Sequence, residues 1–181
     1  MGSHYLAPWR IDVEWRDGVP RLLPATVLAR AAAAALDAAG APSPASIGLI
    51  LSSDSELAEL NEAHMGKHGP TDVLSFPLLP PAAYPGHPGK APDEGVAPGE
   101  AFALPPGIRT HLGDIVVSVE RAMDQAAAGR GGQTGDVRWD ARDELRLLVT
   151  HGVLHVCGWD HAEPAEEASM RALERDLLGR R

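Results

Sequence analysis

Polar and apolar residues alternate over residues 10–15, where Arg10, Asp12 and Glu14 interleave with Ile11, Val13 and Trp15. That two-residue period predicts a strand with one buried face. Asp17-Gly18 marks a turn after it. The alanine-rich run 24–39, with Pro24 near its start and Gly40 just past its end, predicts a helix. The apolar run 47–51 predicts a buried strand, and Ser53 or Asp54 can cap a helix reaching about His64. Residues 73–76 form a third short strand ended by Pro77, and 114–119 a fourth, followed by a helix over 120–128. The longest helical pattern is 140–157, with Leu145, Leu148, Val149 and Val153 as its apolar stripe. Pro164, among Glu163, Glu166 and Glu167, opens a last helix whose buried face is Met170, Leu173 and Leu177. The expected fold is α/β (α+β): one small domain over 1–181, with a mixed sheet of about four strands and covering helices.

One stretch departs from this pattern. Between residues 77 and 107 lie nine of the 16 prolines, with five glycines after Leu79 and little apolar periodicity. Such a composition predicts a mobile loop, an insertion over 78–107 within the domain, because it joins the third and fourth strands. Residues 129–135 read as a shorter flexible linker.

The chain's 181 residues, 44% hydrophobic and 23% charged, suit a single soluble domain. No stretch approaches the roughly 20 apolar residues of a membrane span, and no basic-then-apolar leader is visible at Met1-Gly2-Ser3-His4, which is set aside from site arguments. The single cysteine, Cys157, excludes an intrachain disulfide and fits a reducing cytoplasm. A formal net charge of −9 argues against nucleic-acid binding through a global positive field. It leaves room for a nucleic acid held in a small cleft by a metal and a few local cations.

Candidate chemistry concentrates in residues 151–161, which read HGVLHVCGWDH. On a helix His151 and His155 leave the same face. Gly158 offers a place to turn and bring His161 back toward them. Three imidazoles with a fourth position open are the ligand set of a catalytic metal site, most simply one zinc ion per chain on the domain's central helix. The spacing is that of the metzincin proteases, but their general-base glutamate follows the first histidine, and here that position is Gly152. Asp160 can serve as a base or steady a ligand imidazole, or it can cap the helix that follows. Trp159 can stack on a nucleobase or brace the turn, and Cys157 reads as a small packed hydrophobe. Segments 70–77 (PTDVLSFP) and 112–118 (LGDIVVS), read alone, are a turn into an edge strand and a strand with a polar start.

Taken together, these three segments resemble the YbeY family of bacterial endoribonucleases, marked by H-G-x-L-H-x-x-G-[YWH]-D-H, P-T-D-V-L-S-F-P and L-G-D-I-x-[IV]-S. The likeness runs in order from about Ile11 to Leu178, and Leu60-Asn61 also fits. The resemblance implies a zinc-dependent, single-strand-specific endoribonuclease of ribosomal RNA processing, covering small-subunit 3′ end maturation and ribosome quality control. It further implies RNA and the ribosome or its proteins as partners, no membrane, a cytoplasmic location, and His151, His155 and His161 as metal ligands. Two departures stand out. Met65 occupies a position where many members carry an arginine regarded as a phosphate contact; Lys67 is the candidate substitute cation, or a solvated loop lysine. The 79–107 excursion is also long for the family. RNA would resolve the missing glutamate, because its 2′-hydroxyl is an internal nucleophile; a water activated by the ion is the other route. Asp160 and Lys67 are the catalytic candidates. The alternatives are a metal-dependent hydrolase of protease type and a ribosome assembly factor with structural zinc.

Overall fold

Five strands, from one nearly fully buried to an exposed one at the edge, build one mixed sheet. The strands are β1 (Gly2–Leu6), β2 (Trp9–Trp15), β3 (Ala45–Ser52), β4 (Val73–Pro77) and β5 (Thr110–Ser118), in the order β1-β2-β3-β5-β4. The structure is a computed structural model and describes residues 1–89, 108–129 and 140–179. The expectations for 90–107 and 130–135 fall outside the described residues. β1 and β2 form an antiparallel hairpin, β2-β3 and β3-β5 are parallel, and β4 runs antiparallel on the β5 edge.

The count of about four strands corrects to five. β1 was missed because Gly2-Ser3-His4-Tyr5-Leu6 has no apolar alternation of its own. Its pairing, Tyr5 with Arg10 and Leu6 with Trp9, is imposed by the neighbouring strand and not by its side chains. The remaining elements match the sequence pattern within a few residues. They are α1 (Ala25–Ala38), α2 (Asp54–Met65), α3 (Val119–Ala127), α4 (Ala141–Val156) and α5 (Pro164–Leu177). Among the described residues no helix is long and apolar enough to cross a membrane.

The core lies between the sheet and the α1/α4 layer. Ile11, Val13, Ile47, Leu49, Leu51, Ile115 and Val117 meet Leu28, Ala32 and Leu36 of α1 and Leu145, Leu148 and Val153 of α4 in one buried cluster. The Leu74–Val116 pair is one residue out of phase with Ile115 and Val117, so it faces the other side of the sheet, where α2 lies against β4 and β5.

α4 is fixed at both ends and in its middle. Asp140 caps its start, its carboxylate accepting the backbone N–H groups of Arg142 and Asp143 at 2.9 Å each. Its middle approaches the sheet where Gly152 stands: a Cβ there would lie 2.5 Å from Ile115 Cγ2 and 2.9 Å from Val73 Cγ2. Ser75 of β4 donates its hydroxyl to the Gly152 carbonyl at 3.0 Å. The segment after β4 is mostly exposed up to residue 89, with Leu79 and His87 half-buried. It passes through a short 3-10 turn, Pro81–Ala83, to the buried Tyr84.

Filling the contact at Gly152 should be costly. Gly152→Ala is expected to lower stability by about 1–3 kcal/mol through overpacking, read as a lower urea midpoint at unchanged slope. An unchanged midpoint would mean that the approach of α4 to β4 and β5 is looser than described.

Candidate metal centre

The last turns of α4 bring His151 and His155 onto one face, with their Nε2 atoms 3.0 Å apart. The helix then ends in a Schellman turn. Gly158 takes φ +81°, its N–H donates to the His155 carbonyl at 3.0 Å, and the Trp159 N–H donates to the Leu154 carbonyl at 3.0 Å. The left-handed conformation suits glycine, and a Cβ would also meet Pro81 at 3.2 Å. The turn carries His161 back over the helix end. Its ring centroid lies 5.6 Å from that of His151 and 5.0 Å from that of His155. One ligating nitrogen from each of the three lies within 4.8 Å of the others.

The far side of each helical imidazole is already engaged. His151 Nδ1 lies 2.7 Å from Glu174 Oε1, and both side chains are buried. His155 Nδ1 donates to the Trp159 carbonyl at 2.9 Å. These contacts place the proton on Nδ1 and turn the Nε2 lone pairs toward one another. Burial, reinforced by the neighbouring His151 and His161, pushes His155 down to about 4, so at neutral pH it is a lone-pair donor and not a cation. Three crowded imidazoles whose nitrogens share one focus fit a transition-metal ion.

The other candidates separate. Cys157 is buried, its thiol pushed up to about 12 by burial, and it stands outside the cluster, packing as a hydrophobe. Trp159 is buried too and braces the turn. Asp160 lines the cleft beside the ligands, and its Oδ1 accepts the His161 backbone N–H at 2.7 Å. Lys67 is exposed on the segment after α2 and is not brought to the histidines, whereas Met65 lines the cleft. Position 152 faces Ile115 and Val73, so a side chain there would enter the core. The absent glutamate therefore has no room at that place.

The cleft over the histidines has a volume of about 630 Å³ and is walled on its far side by residues 71–75 of β4 and its lead-in. Asn61, buried on α2, donates to the Gly69 carbonyl at 2.9 Å and shapes that lead-in. Asp72 accepts from the Val73 N–H at 2.9 Å and from Gln125 at 3.0 Å. Sequence reasoning missed Glu174. Its signal was an acid at the fourth residue after Met170, on the face that Met170 buries.

A family model described as Endoribonuclease YbeY matches residues 19–181. The Endoribonuclease YbeY of Salinispora tropica is 42% identical over 144 residues, covering 80% of this chain and 79% of that protein. That of Thermobifida fusca is 36% identical over 168 residues, covering 93% and 91%. That of a Roseiflexus species is 39% identical over 136 residues, covering 75% and 69%.

Two outcomes are expected at this centre. Glu174→Ala should weaken divalent-metal binding by about 10–100-fold, measured by chelator competition, and an unchanged affinity would deny Glu174 its orienting role. In the metal-free protein, the depressed His155 means that the unfolded chain takes up a proton first as pH falls from the ordinary 6.5. The stability this residue confers is therefore whole above about 6.5 and drains away down to about 4. His155→Gln should remove that part of the slope, and an identical slope in urea titrations across the window would contradict it.

Proposed function

The chain belongs to the Endoribonuclease YbeY family, and from that premise we propose that it is a zinc-dependent endoribonuclease that cuts single-stranded RNA. Its substrate is ribosomal RNA, processed at the small-subunit 3′ end and in ribosome quality control, and its partners are the ribosome or its proteins, in the cytoplasm. The observation that carries this reading is the set of three convergent imidazoles at the floor of an open cleft, with no fourth protein ligand among the described residues. Structural zinc sites are closed by four protein ligands; catalytic ones keep a position for the reacting group.

His151, His155 and His161 would hold the ion. When bound, it supplies a Lewis acid that polarises a phosphoryl oxygen. The chain's own residues do the rest. Glu174 and the Trp159 carbonyl fix the ligand rings. Asp160, at the cleft edge, is the candidate to accept the proton of the attacking hydroxyl. The wall formed by residues 71–75 and Met65 bounds the strand's path. No lysine or arginine lines the cleft among the described residues, so Lys67, just outside it, is the candidate cation for a flanking phosphate. A protease reading would need a base at position 152, and that position is turned into the core.

His155→Ala is expected to abolish cleavage of a single-stranded RNA together with metal content. Full ribonuclease activity in a metal-free His155→Ala protein would overturn the proposal. Met65→Arg adds a cation to the cleft wall and should lower KM for RNA with little change in kcat, an effect that fades as salt rises. A KM that does not move would show that the strand does not pass Met65.

A further inference from the structure

His87 lies in the long Pro/Gly excursion, far in sequence from every metal-ligand candidate, yet its side chain is only 5% exposed. The imidazole stacks on Trp159, with ring centroids 4.0 Å apart and planes 9° from parallel. Its Nε2 lies 3.3 Å from the Gly158 carbonyl and 3.3 Å from Glu166 Oε1. The same Glu166 oxygen accepts the Asp160 backbone N–H at 3.1 Å. One histidine and one glutamate thus hold three consecutive residues, Gly158, Trp159 and Asp160, by a carbonyl, a ring and an N–H. The backbone that delivers His87 is seated just as closely. A Cβ on Gly89 would stand 2.6 Å from the Glu166 nitrogen, and one on Gly40 would stand 2.9 Å from Pro85 Cγ.

With the C-cap Cys157, those three residues make up the connection between the end of α4 and His161. They control more than the third ligand, because the Trp159 carbonyl also receives the His155 Nδ1 proton. Moving Trp159 would therefore shift two of the three imidazoles together. The cost of the arrangement is visible on His87 itself: its Nδ1 is buried with no hydrogen-bond partner among the described residues. An unsatisfied buried nitrogen is expensive, and this one is retained beside the metal-ligand turn.

We propose that His87, with Glu166 as its partner, is a positioning residue of the metal centre, clamping the 158–160 turn so that His155 and His161 meet the ion in a fixed geometry. The proposal rests on reading His151, His155 and His161 as metal ligands. It does not rest on the nuclease assignment. It gives the first part of the 78–107 excursion a task at the site.

The test is zinc affinity of the full-length protein by chelator competition, beside the visible absorption of the cobalt(II)-substituted protein, for wild type, His87→Phe and His87→Ala. His87→Phe keeps a ring to stack on Trp159 and removes the N–H. It is expected to weaken zinc binding by about 10-fold, and His87→Ala by up to about 100-fold. Both should shift or weaken the cobalt d–d bands, which report ligand geometry. His87→Gln restores an N–H donor and should recover part of the affinity. If His87→Ala does not fold, the comparison of His87→Phe with His87→Gln decides alone. Wild-type affinity and an unchanged cobalt spectrum in His87→Phe and His87→Ala would overturn the clamp while leaving the metal site standing. A wild-type chain that binds neither zinc nor cobalt would overturn the metal reading and the clamp with it.

Discussion

The close approach of α4 to the sheet at Gly152 governs the rest of the site. Only a residue without a Cβ lets the helix backbone come down onto Ile115 and Val73, and Ser75 ties it there by donating to the Gly152 carbonyl. With that face pinned to β4 and β5, His151 and His155 are directed along the helix toward the cleft beside β4. The opposite edge of α4 is packed by α5, which brings Glu174 to His151. The residue that withholds a protease-type base is therefore the same one that seats the metal helix. The substitution of glycine for glutamate has a packing reason as well as a chemical consequence.

The two helical imidazoles of the centre are held by an acid and a carbonyl placed behind them. Burial keeps His155 neutral, a carboxylate stands behind His151, and a carbonyl stands behind His155. In a chain of net charge −9, with no described lysine or arginine on the wall of the larger cleft and Arg171, in the pocket beside His151 and His161, paired with Glu167 at 2.6 Å, a bound divalent ion would be the main positive charge available to a phosphodiester. This is a physical reason for coupling substrate binding to the metal.

Much of this was legible in the chain. The alternation of 10–15, the apolar run 47–51, the Pro, Gly and cap residues at helix ends and the apolar stripes of α4 and α5 located β2, β3 and the helices, because each of these signals is local. The HxxxH spacing with Gly158 located the histidine cluster because helix geometry and a Schellman turn are local. β1 was hidden because its structure comes from pairing with β2 and not from its own side chains. Glu174 was hidden because an acid on a helix ordinarily means a solvated face, and only α4 behind it makes the position buried. His87 was hidden for a stronger reason. A proline- and glycine-rich stretch without apolar period reads as mobile, yet residues 84–87 dock on Trp159 and Glu166 through long-range contacts that composition does not encode. Lys67 and Asp160 were distinguished only in space, one exposed beyond α2 and the other at the cleft.

The central claim is that RNA cleavage requires one metal ion held by the three histidines. Its most direct test is a zinc add-back to chelator-stripped protein, with bound zinc and the cutting rate on a single-stranded ribosomal RNA fragment followed in the same samples. The account predicts no cutting at zero zinc and a rate that rises with bound ion and levels off at one per chain. Undiminished cutting by the stripped protein, or a chain carrying one zinc that leaves the fragment intact, would contradict it.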